Sequence, residues 1–124
     1  MGIIYNHMVV DTLSDEATDR IFHALADATR RDVLTRAIRQ EQSVSALARG
    51  YEMSFAAVQK HVAVLERAGL VVKRRQGREQ IVRCVEPALQ RARALLESYE
   101  LLWHQRSERI AEILTQNQSQ GELT

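Results

Sequence analysis

The sequence has one cysteine, one proline, five glycines and few aromatic residues, 5% of 124. A lone cysteine, Cys84, excludes an intramolecular disulfide and a cysteine-rich metal site. With only Pro87 to interrupt them, long stretches contain nothing that breaks a helix. No apolar run approaches the ~20 residues that span a bilayer. The opening "MGIIYNHMVVDTL" lacks the basic start and long apolar core of a signal peptide. The expected compartment is therefore a reducing cytoplasm, without membrane contact. A large charge is missing too: 17 Lys and Arg against 16 Asp and Glu leave a formal +1. Charge alone does not announce a nucleic-acid binder, so its distribution decides. No nucleophile beside a base, phosphate loop or acid pair suggests an enzyme. What is present is 45% hydrophobic and 27% charged residues, the balance of one soluble domain over residues 1–124.

Helix signals dominate. Ser14 is a good N-cap for "SDEATDRIFHALA", with Ile21, Phe22 and Leu25 as its apolar face. Asp27 can cap a second helix with Val33, Leu34, Ala37 and Ile38 inward. Ser43 can cap a short third helix, "VSALARGY", and Ser54 a fourth that runs to about Ala68, where Gly69 ends it. Residues Leu70–Arg75 and Glu79–Val85 read as two strands around a turn of Gln76, Gly77 and Arg78. Pro87 then opens a long helix over about 88–116, followed by a polar tail, "NQSQGELT", expected to fray.

The third and fourth helices have the spacing of a helix-turn-helix over about 43–68. Ala48 is the small residue that permits a close crossing, and Val58, ten residues later, faces back. Val58, Val62 and Leu65 make one buried stripe. The opposite face holds Ala56, Gln59, Lys60, Ala63 and Arg67, small at its centre and polar around it. Such a face suits close approach to base edges, with Gln59 and Lys60 as readers. Ser54, with Phe55 and the free N–H groups of the helix start, suits a phosphate. A solvated surface helix would look similar; the hairpin that follows separates the two readings. Its Lys73, Arg74, Arg75, Arg78 and Arg83 are offset by Glu79 alone, and Arg75, Gln76 and Arg78 gather at the tip. A basic hairpin directly after a helix-turn-helix is a wing, over about 70–85, placed for the phosphate backbone or the minor groove. On an isolated hairpin the same charges would merely protect an edge.

Two segments carry a resemblance. "HALADATRRDVL" and "SVSALARGYEMSFAAVQKHVAVLERAGLVVKRRQGREQIVRCVEP" are similar to the ArsR-type (arsenic-repressor-like) winged helix-turn-helix regulators. That resemblance implies a mainly α fold with a small β-hairpin and a homodimeric repressor or autoregulator. It also implies palindromic double-stranded DNA operators that are released on an inducing signal. The DNA-binding set is then Ser54, Phe55, Ala56, Gln59, Lys60, His61, Arg74, Arg75 and Arg78. The sequence departs from the metal-sensing branch. Where a Cys-x-Cys site would stand it has Ser43-Val44-Ser45, and hydroxyls are poor ligands for soft metals. On the last helix His104 and Glu108 lie one turn apart, a spacing that suits a surface pair better than a metal site. No cofactor or metal is expected. Ala28 and Ala57 replace common prolines, and Glu52 stands in the turn where glycine is frequent, which predicts either slight strain or a different local geometry there.

Three further readings complete the picture. Cys84, in the second wing strand beside Arg83, reads as a packing residue, with redox sensing as the alternative. His61 lies at the rim of the buried stripe, placed to pack at a helix boundary or touch a phosphate. The last helix carries Leu89, Ala92, Leu96, Tyr99, Trp103, Ile110 and Ile113 at steps of three and four, with Arg106 interrupting, and Leu95 and Leu102 beside them. This seam predicts a homodimer built on residues 88–116 and 1–26, with "GIIYNHMVV" as a partner strip; the other option is a helix folded back on its own domain. The rival to DNA reading is a winged-helix protein-interaction module.

Overall fold

The computed structural model describes the backbone of residues 15–123 and the side chains of residues 15–118. The expected cap Ser14 and the strip "GIIYNHMVV" lie outside the described residues. The order is α1 (15–25), α2 (Ala28–Arg39), β1 (Gln42–Ser43), α3 (Val44–Ala48), α4 (Phe55–Arg67), β2 (Val71–Gln76), β3 (Glu79–Cys84) and α5 (Glu86–Leu123). The chain forms two compact units, the first ending at Ala92 and the second beginning at Arg93.

Each helix of the first unit from α2 to α4 starts where a side-chain oxygen meets a free N–H. Asp27 accepts from the Arg30 amide at 3.0 Å, Ser43 from Ala46 at 3.0 Å and Ser54 from Ala57 at 3.1 Å. That hydrogen bond holds the Asp27 carboxyl below its usual range. α4 ends as Gly69 requires: φ is +76°, Gly69 N–H donates to Glu66 O and Leu70 N–H to Leu65 O. These are the two bonds of a Schellman cap. The core gathers Ile21 and Ala24 of α1, Val33, Leu34 and Ala37 of α2, and Val44 and Leu47 of α3. Val58, Val62 and Leu65 of α4, Ala68 at its C-cap, Leu70, Val71 and Val82, and Ala88 and Ala92 of α5 belong to it as well. Phe22 and Leu25 pack half-buried against it, as does Ala48.

Several expectations are corrected. Ile38 is 55% exposed. It lies about 100° past Ala37 on the helix wheel, beyond the arc that Val33, Leu34 and Ala37 define. α3 stops at Ala48 instead of reaching Tyr51. The hairpin turn has two residues, because Gln76 pairs with Glu79 inside the ladder. Gly77 has φ +63° and Arg78 is not left-handed, the pattern of a type II′ turn. The sheet has a third strand: Gln42 and Ser43 pair with Val82 and Ile81, giving the order β1-β3-β2. At Glu52 the second of the two alternatives holds: no non-glycine residue among those described has positive φ, so the turn does without the left-handed conformation that glycine would serve. α5 is longer than expected at both ends, with 38 residues. Pro87 sits in its first turn, where no N–H is needed, and the backbone stays helical through most of the expected frayed tail.

Candidate nucleic-acid interface

α3 and α4 form the helix-turn-helix, and the buried stripe is the expected one: Val58, Val62 and Leu65 are all 0% exposed. Their burial turns the other face outward. Ser54, Phe55, Ala56, Gln59, Lys60 and Arg67 are exposed, and Ala63 is half-buried. Ala56 and Ala63 keep the centre of that face low, and Gln59 and Lys60 stand beside them. The Ser54 hydroxyl serves as the N-cap, so it acts through the helix start it organises.

His61 is half-buried, with Nδ1 3.5 Å from Arg30 Nη1. A guanidinium can only donate, so in this contact Nδ1 is the acceptor. Arg30 lies in the quoted segment "HALADATRRDVL", though without a role assigned to it there. It also donates to Ala24 O at 2.8 Å and His23 O at 2.9 Å, the carbonyls that end α1. One side chain thus ties α1, α2 and α4 together. A second such clamp is Arg36, which donates to Leu47 O at 3.1 Å and Ala46 O at 3.4 Å at the end of α3. It lies over the Tyr51 ring, 5.3 Å from its centroid, and the Tyr51 hydroxyl donates to Asp32. α3 is too short to hold itself, and these contacts tie it and the turn after it to α2.

The wing differs most from expectation. Its register places Lys73, Arg75 and Val82 on the face that carries the core, and Arg74, Ile81 and Arg83 on the outer face. Lys73 reaches Glu66 of α4 at 3.4 Å. Arg74 and Arg83 share Glu41, at 3.5 and 3.6 Å. The acids that offset the wing are therefore Glu41 and Glu66, where Glu79 was expected. Glu41 was hidden because its closeness depends on β1 pairing with β3. At the tip, Arg75 donates to Gly77 O at 3.3 Å, and Arg78 is exposed, without an acidic partner among the described residues. Cys84 is half-buried, and burial raises its thiol pKa. Less thiolate at neutral pH favours the packing reading over the redox one.

In α5, Ala92 is buried and Leu89 half-buried against the first unit's own core. From Leu96 onward the apolar side chains are open: Leu96 50%, Tyr99 58%, Trp103 63% and Ile110 47% exposed, with Leu102, Ile113 and Leu114 alongside. Leu101 is also exposed but lies about 140° from Leu96, off this seam. Ser43 Oγ caps α3, and among the described residues no group of three His, Cys, Asp or Glu is disposed to hold a metal. No helix among the described residues is long and apolar enough to cross a membrane.

Known proteins share this arrangement. A helix-turn-helix domain family matches residues 25–74, from the end of α1 into β2. The HTH-type transcriptional regulator Rv2034 of Mycobacterium tuberculosis is 40% identical over 63 residues, 51% of this chain and 59% of that regulator. The crystal structure of an ArsR family transcriptional regulator, RHA00566, superposes with a TM-score of 0.70 at 34% identity, covering 73% of this chain and 93% of that one. An ArsR-like regulator from Rhodococcus sp. RHA1 gives 0.69 at 34% identity, covering 79% and 92%. With its helix-turn-helix, its wing and these relatives, the chain belongs to the ArsR family of winged helix-turn-helix transcriptional regulators.

Proposed function

We propose that the protein is a homodimeric, sequence-specific DNA-binding repressor or autorepressor acting at a palindromic operator in the cytoplasm. The observation that carries this reading is the outward face of α4, with Ala56, Gln59 and Lys60 exposed opposite a fully buried stripe. In this reading α4 enters the major groove and Gln59 and Lys60 read base edges. Ser54, Phe55 and the N–H groups they precede meet a phosphate, and the His61 Nε2–H is a further donor. Arg75 and Arg78 at the wing tip lie on the backbone or in the minor groove. Two copies joined along Leu96, Tyr99, Trp103 and Ile110, with Leu89 at the inner end, set two α4 helices about 34 Å apart. The open apolar seam supports this assembly, since so much contiguous apolar surface marks an interface.

One observation favours the rival reading, a protein-interaction module. Lys73, Arg74 and Arg83 already have acidic partners, which lowers the free charge of the wing. Selection from a random duplex pool, followed by salt titration of the recovered site, separates the two. A DNA reader enriches an inverted repeat and loses affinity linearly in log salt. Failure to enrich any sequence would favour the interaction module.

A further inference from the structure

Three arginines from three helices line one cavity of about 300 Å³: Arg20 of α1, Arg67 of α4 and Arg91 of α5. Among the described residues the rest of its wall is Ala17, Ile21, Ala68, Gly69, Pro87 and Ala88, which carry no carboxylate. A smaller cavity shares Arg20, Arg67 and Ala68 and adds His23 and Val64. Among the described residues none of the three arginines pairs with an acid. The core explains the apolar floor, and the three guanidinium groups stand exposed at its rim.

We propose that this cavity binds a small organic acid, an apolar body bearing one carboxylate or phosphate, and that α4 responds to its occupancy. A guanidinium presents a planar fork of N–H donors that matches carboxylate and phosphate oxygens. The alanines, Ile21 and Pro87 receive the hydrocarbon part. Ligand cavities run from roughly 300 to 1,000 Å³, and this one lies at the small end. It suits a single ring or short chain. Coupling to α4 follows from Arg67, in the last turn of that helix, and from Ala68 and Gly69, which stop it. An acid held by Arg20, Arg67 and Arg91 ties α4 to α1 and α5. If it binds one placement of α4 better than another, it shifts the population toward that placement. Gln59, Lys60, Arg75 and Arg78 do not line the cavity, and Arg67, at the end of α4, is the residue it shares with the outward face.

The test uses the full chain, with benzoate and phenyl phosphate as probes and with benzamide and inorganic phosphate as controls. In calorimetry without DNA, at least one probe binds one site per chain with Kd below about 1 mM, and both controls are at least about tenfold weaker. Arg20→Gln with Arg91→Gln weakens probe binding by about tenfold or more while leaving circular dichroism and probe-free operator affinity unchanged. The single Arg91→Gln gives the same comparison with less disturbance of the fold. Saturating probe changes wild-type operator affinity by about fivefold or more and leaves the double variant unaffected. No binding of either probe, or binding that ignores both substitutions, overturns the site. Equal binding of benzamide or inorganic phosphate overturns the ligand class. Binding without any change in operator affinity overturns the coupling. Because the calorimetry contains no DNA, failure of the DNA-binding reading would leave its result standing.

Discussion

Gly50 leaves room for the guanidinium of Arg36: a Cβ built there would fall inside the contact distance of Nη1 and 3.0 Å from Cζ. The missing side chain is what lets Arg36 reach the last carbonyls of α3. Arg36→Ala should therefore destabilise the fold by about 1–2 kcal/mol by removing charge-assisted hydrogen bonds. Gly50→Ala should cost no more than this, because the atoms it meets are the far end of the flexible Arg36 side chain. The two should not add. In the Arg36→Ala background, Gly50→Ala should be neutral or stabilising by up to about 1 kcal/mol, since Gly50 has no positive φ and alanine narrows the unfolded ensemble. Urea denaturation of the four proteins checks this; additive losses would refute the steric link.

The wing register ranks its arginines. Arg75 and Arg78 stand at the tip, while Arg74 is held on the outer face by Glu41. Replacing Arg75 or Arg78 by Ala should weaken binding to all duplexes alike and reduce the salt slope by about one each. Arg74→Ala should do less. A larger loss for Arg74 in the salt titration would mean that Glu41 releases it on DNA.

Base reading is assigned to two side chains. Gln59→Ala or Lys60→Ala should each weaken operator binding by about 1–3 kcal/mol per base edge left unread, and should relax specificity at one position of each half-site. If the double variant binds the selected operator as the wild type does, α4 is not the reader.

Assembly rests on the seam. Leu96→Asp or Trp103→Asp would place an unpartnered charge in the interface, at a cost of several kcal/mol. Either variant should sediment as a monomer at micromolar concentration and lose operator affinity with every base-reading residue intact. A wild-type chain that sediments as a monomer and binds the palindrome tightly would remove the dimer from the proposal.

Cys84 should behave as a packing residue. Burial raises its thiol pKa, so at pH 8 iodoacetamide should label the folded chain more slowly than the urea-unfolded chain. Faster labelling of the folded chain would return it to the redox-sensor reading.

Local chemistry made much of this protein legible in its sequence. Asp27, Ser43 and Ser54 cap helices because their oxygens reach amides three residues on, and Gly69 stops α4 because it tolerates φ +76°. The stripe of Val58, Val62 and Leu65 follows from helical period alone, and it determines which residues face outward on α4. What tertiary structure decided depends on chain segments meeting across long separations. Pairing of Gln42 and Ser43 with β3 brings Glu41 beside Arg74 and Arg83, which no local pattern announces. Arg30 and Arg36 gain their roles only when the carbonyls of α1 and α3 come within reach of them. Arg20, Arg67 and Arg91 are far apart in sequence, and only the packing of three helices brings them around one cavity. Periodicity and capping are properties of neighbours along the chain; the ion pairs, the clamps and the cavity are properties of the fold.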